Sequence, residues 1–230
     1  MHRDLVDTIR AELARHADPV RAAGQQRYMK STMPYRGLTA PQLTAVLRPI
    51  LADPGFRIAD RDGWEATIRT LWDEVAYREE WYAAIALARC RTYRPWVDSD
   101  SMPLWRHLVV TGAWWDHVDS VAIPLLGPIL RAEPTALTPL VRRWASDDDM
   151  WRRRTSIIVQ NGSKAATDVE LLADVVTANV DDRRFFVAKA IGWALREHAK
   201  TDPAWVRAFV GEHADRMAPL SVREALKHLG

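Results

Sequence analysis

Cysteine occurs once in the 230 residues, at Cys90, which excludes an internal disulfide and a thiolate cage for a structural metal. That usage predicts a reducing cytosol, so a cytoplasmic protein. No run approaches 18 uninterrupted apolar residues, so a membrane-spanning helix is not expected. The opening Met1-His2-Arg3-Asp4 leads into a charged amphipathic segment and lacks the apolar core of a signal peptide. Glycine is scarce, with 10 residues, and no Gly-rich phosphate loop, nucleophile elbow or paired-histidine helix occurs. Those absences remove the nucleotide-cofactor and serine-hydrolase classes. Lysine is also rare: only positions 30, 164, 189, 200 and 227 carry it, and the remaining 27 of 32 basic residues are Arg. An excess of charge of one sign is missing too, because 30 acidic residues leave a net charge of +2. Any nucleic-acid surface must therefore be a local patch.

What is present is helical. Apolar positions recur at spacings of three and four, and Val-Ile-Thr strand runs between tight turns are missing. The pattern predicts helices over 3–16, 19–33, 40–52, 61–75, 79–94, 101–111, 114–131, 136–145, 149–160, 167–178, 183–199, 203–213 and 220–229. Asp18-Pro19, Thr39-Ala40-Pro41 and Thr201-Asp202-Pro203 read as helix starts, Ser221-Val222-Arg223-Glu224 has the shape of a capping box, and Pro134, Pro139 and Pro219 mark turns. Helices of this length with short connections suit stacked pairs better than a four-helix bundle, at a period near that of HEAT-type repeats. The expectation is an all-α, HEAT-like helical-repeat solenoid, C-shaped, running as one domain over 1–230 with a concave binding face.

Three segments concentrate chemistry. In Trp114-Trp115-Asp116-His117-Val118-Asp119-Ser120, helical spacing puts Trp115 and Asp119 on one face and turns Trp114 and Asp116 elsewhere. The plain alternative is that both tryptophans are core and both aspartates are caps. A metal site at Asp116, His117 and Asp119 has no distant histidine cluster to complete it. In Asp147-Asp148-Asp149-Met150-Trp151-Arg152-Arg153-Arg154, three arginines in the first turns of a helix oppose its macrodipole. Either an anion such as phosphate shares that site or the adjacent aspartates neutralise it. In Lys189-Ala190-Ile191-Gly192-Trp193-Ala194-Leu195-Arg196, one helix face carries a cation, an aromatic plane and a second cation. Gly192 inside a helix is unfavourable by about 1 kcal/mol relative to Ala, which suggests a close approach there, either of a ligand or of a packed helix.

Together these segments, with Tyr28-Met29-Lys30, Leu71-Trp72 through Arg78-Glu79, and Leu220-Ser221 through His228, resemble the DNA alkylation repair family known as AlkD, which are HEAT-like-repeat DNA glycosylases. The resemblance runs along nearly the whole chain. It implies release of N3- and N7-alkylated purines from duplex DNA, without extruding the base into a pocket. It implies Asp119 as the catalytic carboxylate, Trp115 and Trp193 as its aromatic partners, and Arg154 as a DNA contact. Tyr28 matches a position lining the DNA cleft. Met33-Pro34-Tyr35-Arg36 and the connector from Pro95-Trp96 to Met102-Pro103 depart from the family pattern.

The chemistry of these residues agrees with that implication. An N3- or N7-alkylated purine is cationic and leaves as a neutral base without a strong general acid. A carboxylate can stabilise the oxocarbenium-like sugar and position water, and Trp faces add cation–π attraction of about 0.5–2 kcal/mol each. The sequence therefore predicts an alkylpurine DNA glycosylase that acts as a monomer in the cytoplasm, at the nucleoid, with no cofactor, no metal and no membrane partner. Its partner is double-stranded DNA containing alkylated purines, with Tyr28, Arg154, Lys189 and Arg196 binding it. The competing reading is a non-catalytic helical scaffold that binds DNA or protein.

Overall fold

The computed structural model describes residues 1–229. Among them there is no strand. The helices are α1 (Arg3–Arg15), α2 (Pro19–Met29), α3 (Ala40–Ala52), α4 (Arg61–Asp73), α5 (Arg78–Ala88), α6 (Met102–Gly112), α7 (Trp115–Val121), α8 (Gly127–Ala132), α9 (Pro134–Ala145), α10 (Met150–Ile158), α11 (Val169–Thr177), α12 (Phe185–His198), α13 (Pro203–His213) and α14 (Pro219–Leu226). The all-α, helical-repeat expectation holds, and every predicted helix has its counterpart. The segment expected as one helix over 114–131 is helical without a break from Trp115 to Ala132, its α-helical parts α7 and α8 meeting through a π turn at Ala122–Leu126. No helix among the described residues is long and apolar enough to cross a membrane.

The helix starts follow local chemistry. Asp18 accepts the Arg21 amide with Pro19 as the first helical residue, and Thr39 and Gln42 form a reciprocal capping box. Asp202 caps α13 through the Trp205 amide. Two expectations fail here. Ser221 and Glu224 are not a capping box, because α14 already begins at Pro219 and Ser221 lies inside it, its hydroxyl donating to the Ala188 carbonyl at 2.8 Å. Pro139 marks no turn: it sits within α9, where it removes a single backbone donor from a helix otherwise anchored by buried Leu137, Val141 and Trp144.

The chain gathers into two compact units, Met1–Val97 and the residues from Asp98 onward. The sequence has no composition shift at that point. In the first unit α1 packs on α3, α4 and α5. The period-four row Leu5, Ile9 and Leu13 is fully buried, as are Trp64, Ile68, Leu71 and Trp72 of α4, each such side chain stabilising the fold by about 1.5–3 kcal/mol. The buried Glu79 carboxylate accepts the amides of Arg36, Gly37 and Leu38, at 2.8, 2.8 and 3.2 Å. That brace fixes the backbone of the loop between α2 and α3. In the second unit α10 is the central element, packed against α6, α7, α9, α11 and α12, while α14 lies along α12. Helices α7, α10, α12 and α14 carry the candidate site residues of this unit.

Candidate active site

Trp114 is the extended residue immediately before α7, so the helix starts at Trp115 and the predicted 115/119 face forms. Five of the eleven tryptophans are core residues (64, 72, 105, 144 and 151), whereas Trp114, Trp115 and Trp193 are half-buried. The all-core alternative therefore fails for the residues that matter here. Trp114 has a structural place: its ring contacts Trp151 at 6.2 Å and Phe186 edge-on at 5.3 Å. This aromatic cluster ties the start of α7 to α10 and α12.

Asp119 does not stand alone. Arg154, from α10, donates Nε to Asp119 Oδ1 and Nη2 to Oδ2, both at 2.8 Å, in a two-pronged fork. The third side of the guanidinium donates from Nη1 to the Phe186 carbonyl at 2.7 Å, at the start of α12. One side chain thus links three helices. The Arg154 side chain is 4% exposed and that of Asp119 is 15% exposed. Burial pushes the Asp119 carboxyl above the ordinary value of 3.8, aided by the charge of Asp116, while the hydrogen bonds and charge of Arg154 pull the other way. Asp116 approaches His117 Nδ1 at 3.7 Å instead, so the two aspartates have separate settings.

The arginine triplet resolves residue by residue. Asp149 caps α10 by accepting the amides of Trp151 and Arg152. Asp147 pairs with Arg152 at 2.8 Å, and its acidity is strengthened by that contact and by the Asp149 amide against the effect of burial. Arg153 donates to the Asp147 carbonyl. The neutralising acids belong to the protein, and Arg154, expected as a DNA contact, is buried on Asp119.

On α12, Lys189, Trp193 and Arg196 keep the predicted common face, and Lys189 and Arg196 are both paired. Glu224 of α14 accepts Lys189 Nζ at 2.7 Å on Oε1 and binds Arg196 through Oε2. The two cations, Lys189 first, hold the Glu224 carboxyl down at about 2. Gly192 explains how α14 comes so near. A Cβ at Gly192 would lie 2.5 Å from the Glu224 Cβ and 2.8 Å from the Ser221 carbonyl oxygen. The close approach read from the glycine is that of a packed helix. Tyr28, in the first unit, is 79% exposed on the last turn of α2. Two contributors escaped the sequence reading: the Phe186 carbonyl and Glu224. Nothing local signals either, since their partners lie 28 to 35 residues away in sequence.

The site is thus an all-helical array that holds a carboxylate in an arginine fork, one helical turn from half-buried Trp115. The comparisons with known proteins then identify the family. The model of the DNA alkylation repair enzyme family matches residues 9–229, and this chain belongs to that family. A solved structure described as a predicted DNA alkylation repair enzyme from Enterococcus faecalis superposes with a TM-score of 0.80 at 27% identity, covering 93% of this chain and 97% of the other. No curated protein matches.

Proposed function

We propose that this chain is a DNA glycosylase that hydrolyses the N-glycosidic bond of cationic N3- and N7-alkylated purines in duplex DNA. The observation that carries the proposal is the Asp119 carboxylate, partly exposed, oriented by the Arg154 fork, and one helical turn from half-buried Trp115.

In this reading the alkylated base departs neutral, with the bonding electron pair of the glycosidic bond, and leaves positive charge on the deoxyribose. Asp119 faces that charge, accepts a hydrogen bond from the attacking water and takes its proton as the C1′–O bond forms, passing it afterwards to solvent. Trp115 and Trp193 present π faces to the sugar cation. Arg154 is a positioning residue, fixing the plane of the acid. Lys189, Arg196 and Tyr28 contact the DNA backbone or cleft without reading sequence, and the base need not leave the stack. The protein supplies electrostatics and needs no metal or cofactor for this step.

The test is single-turnover base release from a duplex carrying 7-methylguanine, with binding measured in parallel. Asp119→Asn should lower release by a factor on the order of 10²–10³, the usual loss for one preorganised electrostatic group, with affinity retained or improved. Asp116→Asn should do much less. Full activity of both variants would end the carboxylate mechanism. A parent protein that binds duplex DNA yet releases no base would favour the scaffold reading.

A further inference from the structure

We infer that Glu224 is an internal counter-anion that occupies the phosphate-binding position of Lys189 and Arg196 and so limits the grip on undamaged DNA. The inference rests on the DNA-binding reading of those two cations and adds a residue outside it.

The arrangement is built rather than incidental. Glu224 is held on a helix that the Gly192 contact lets lie directly against α12, and the buried Ser221 hydroxyl, donating to the Ala188 carbonyl, fastens the same stretch. Its carboxylate is 11% exposed and touches both cations, whose own side chains remain 38% and 20% exposed for Lys189 and Arg196. The anion thus lies inward and the cations outward, with half-buried Trp193 between them on the same face. Two cations and one carboxylate leave one net positive charge. A phosphate oxygen has the same acceptor chemistry as the carboxylate oxygens, so an arriving backbone must share or take donors that Glu224 holds. Because Glu224 is depressed to about 2, it stays ionised at every working pH and its competition is permanent. Such a brake suits a protein that has to leave undamaged duplex quickly.

The experiment measures affinity for an undamaged duplex against salt concentration, beside a thermal melt of each variant. Glu224→Gln keeps the shape and removes the charge. Binding should tighten about fivefold at low salt, the size of one unit charge at contact distance in water-like surroundings, and the log–log salt slope should steepen by about 0.9. Lys189→Met should weaken binding and flatten the slope by a similar amount, since the remaining arginine is then neutralised by Glu224. A folded Glu224→Gln protein with parental or weaker affinity and an unchanged slope overturns the inference and leaves Glu224 a clamp between helices. Should Glu224→Gln fail to melt cooperatively, the Lys189→Met slope decides, and an unchanged slope overturns it. Failure of the parent to bind any duplex removes the DNA reading and this inference together. Base release by the parent with a parental Glu224→Gln profile removes only the inference.

Discussion

A guanidinium that holds a carboxylate through two parallel hydrogen bonds fixes the plane of the acid as well as its charge. Arg154 does this for Asp119 and is anchored in turn by the Phe186 carbonyl. Lysine in its place would keep a positive charge and lose the fork. Arg154→Lys should therefore lower base release by about 10², the cost of misplacing a reacting group by roughly an ångström. The pH dependence gives an independent check. Burial raises Asp119, and the Arg154 hydrogen bonds oppose that rise. Weakening them moves the carboxyl further up, so the acid limb of the single-turnover profile should shift to higher pH in Arg154→Lys. A variant slowed equally at every pH, with the limb unmoved, would show that the fork does not set the protonation of Asp119.

At the scale of the element, α14 packs directly against α12, and Gly192 is the condition of that fit. In Gly192→Ala the added methyl meets the Glu224 Cβ and the Ser221 carbonyl, and neither is the far end of a flexible side chain. Overpacking of this kind costs about 1–3 kcal/mol, against about 1 kcal/mol gained in helix propensity. The expected result is a lower melting temperature, read by thermal unfolding; a higher one would mean that α14 moves aside freely. The helices themselves were legible because three-and-four spacing, Asp18, Thr39 and Asp202 act within one or two turns. The candidate site was legible only in part. Asp119 and Trp115 share a helix, so their common face follows from spacing, but the role proposed for them comes from resemblance. Glu224 was misread because Ser221-x-x-Glu224 matches a local capping pattern, whereas its partners lie on another helix. The Arg154 fork was missed for the same reason, as a pairing across 35 residues of chain.

Over the whole molecule, stability should fall on the acid side of neutrality in two windows. His198 is buried, and desolvation depresses it below 6.5, opposed by Asp202. A depressed folded value means that the native state binds fewer protons than the unfolded chain, so its contribution is complete above about pH 6.5 and declines below. Glu224, lowered from 4.5 to about 2, loses its contribution as pH falls through that range, and Asp147, Asp181 and Asp182 act in the same direction. Melting temperatures followed downward from neutral pH should drop first near the histidine range, and His198→Gln should abolish that first drop while leaving the carboxylate one. A drop that persists in His198→Gln would assign it to another group.

The π turn at Ala122–Leu126 has a consequence for inheritance. An extra residue in an α-helix would rotate everything beyond it by about 100°, and a π turn takes that residue up so that the two flanks keep a common phase. Upstream, that phase leaves Trp115 and Asp119 partly exposed. Downstream, it buries Ile129 and Leu130 and sets Gly127 where a Cβ would come within 2.6 Å of the Val159 carbonyl. A descendant that lost one codon from 122–126 could close the π turn to an ordinary α-helical one and keep acid and core on their own sides of the same rod, whereas the loss of one codon between that turn and either set of side chains would turn them apart by about 100°.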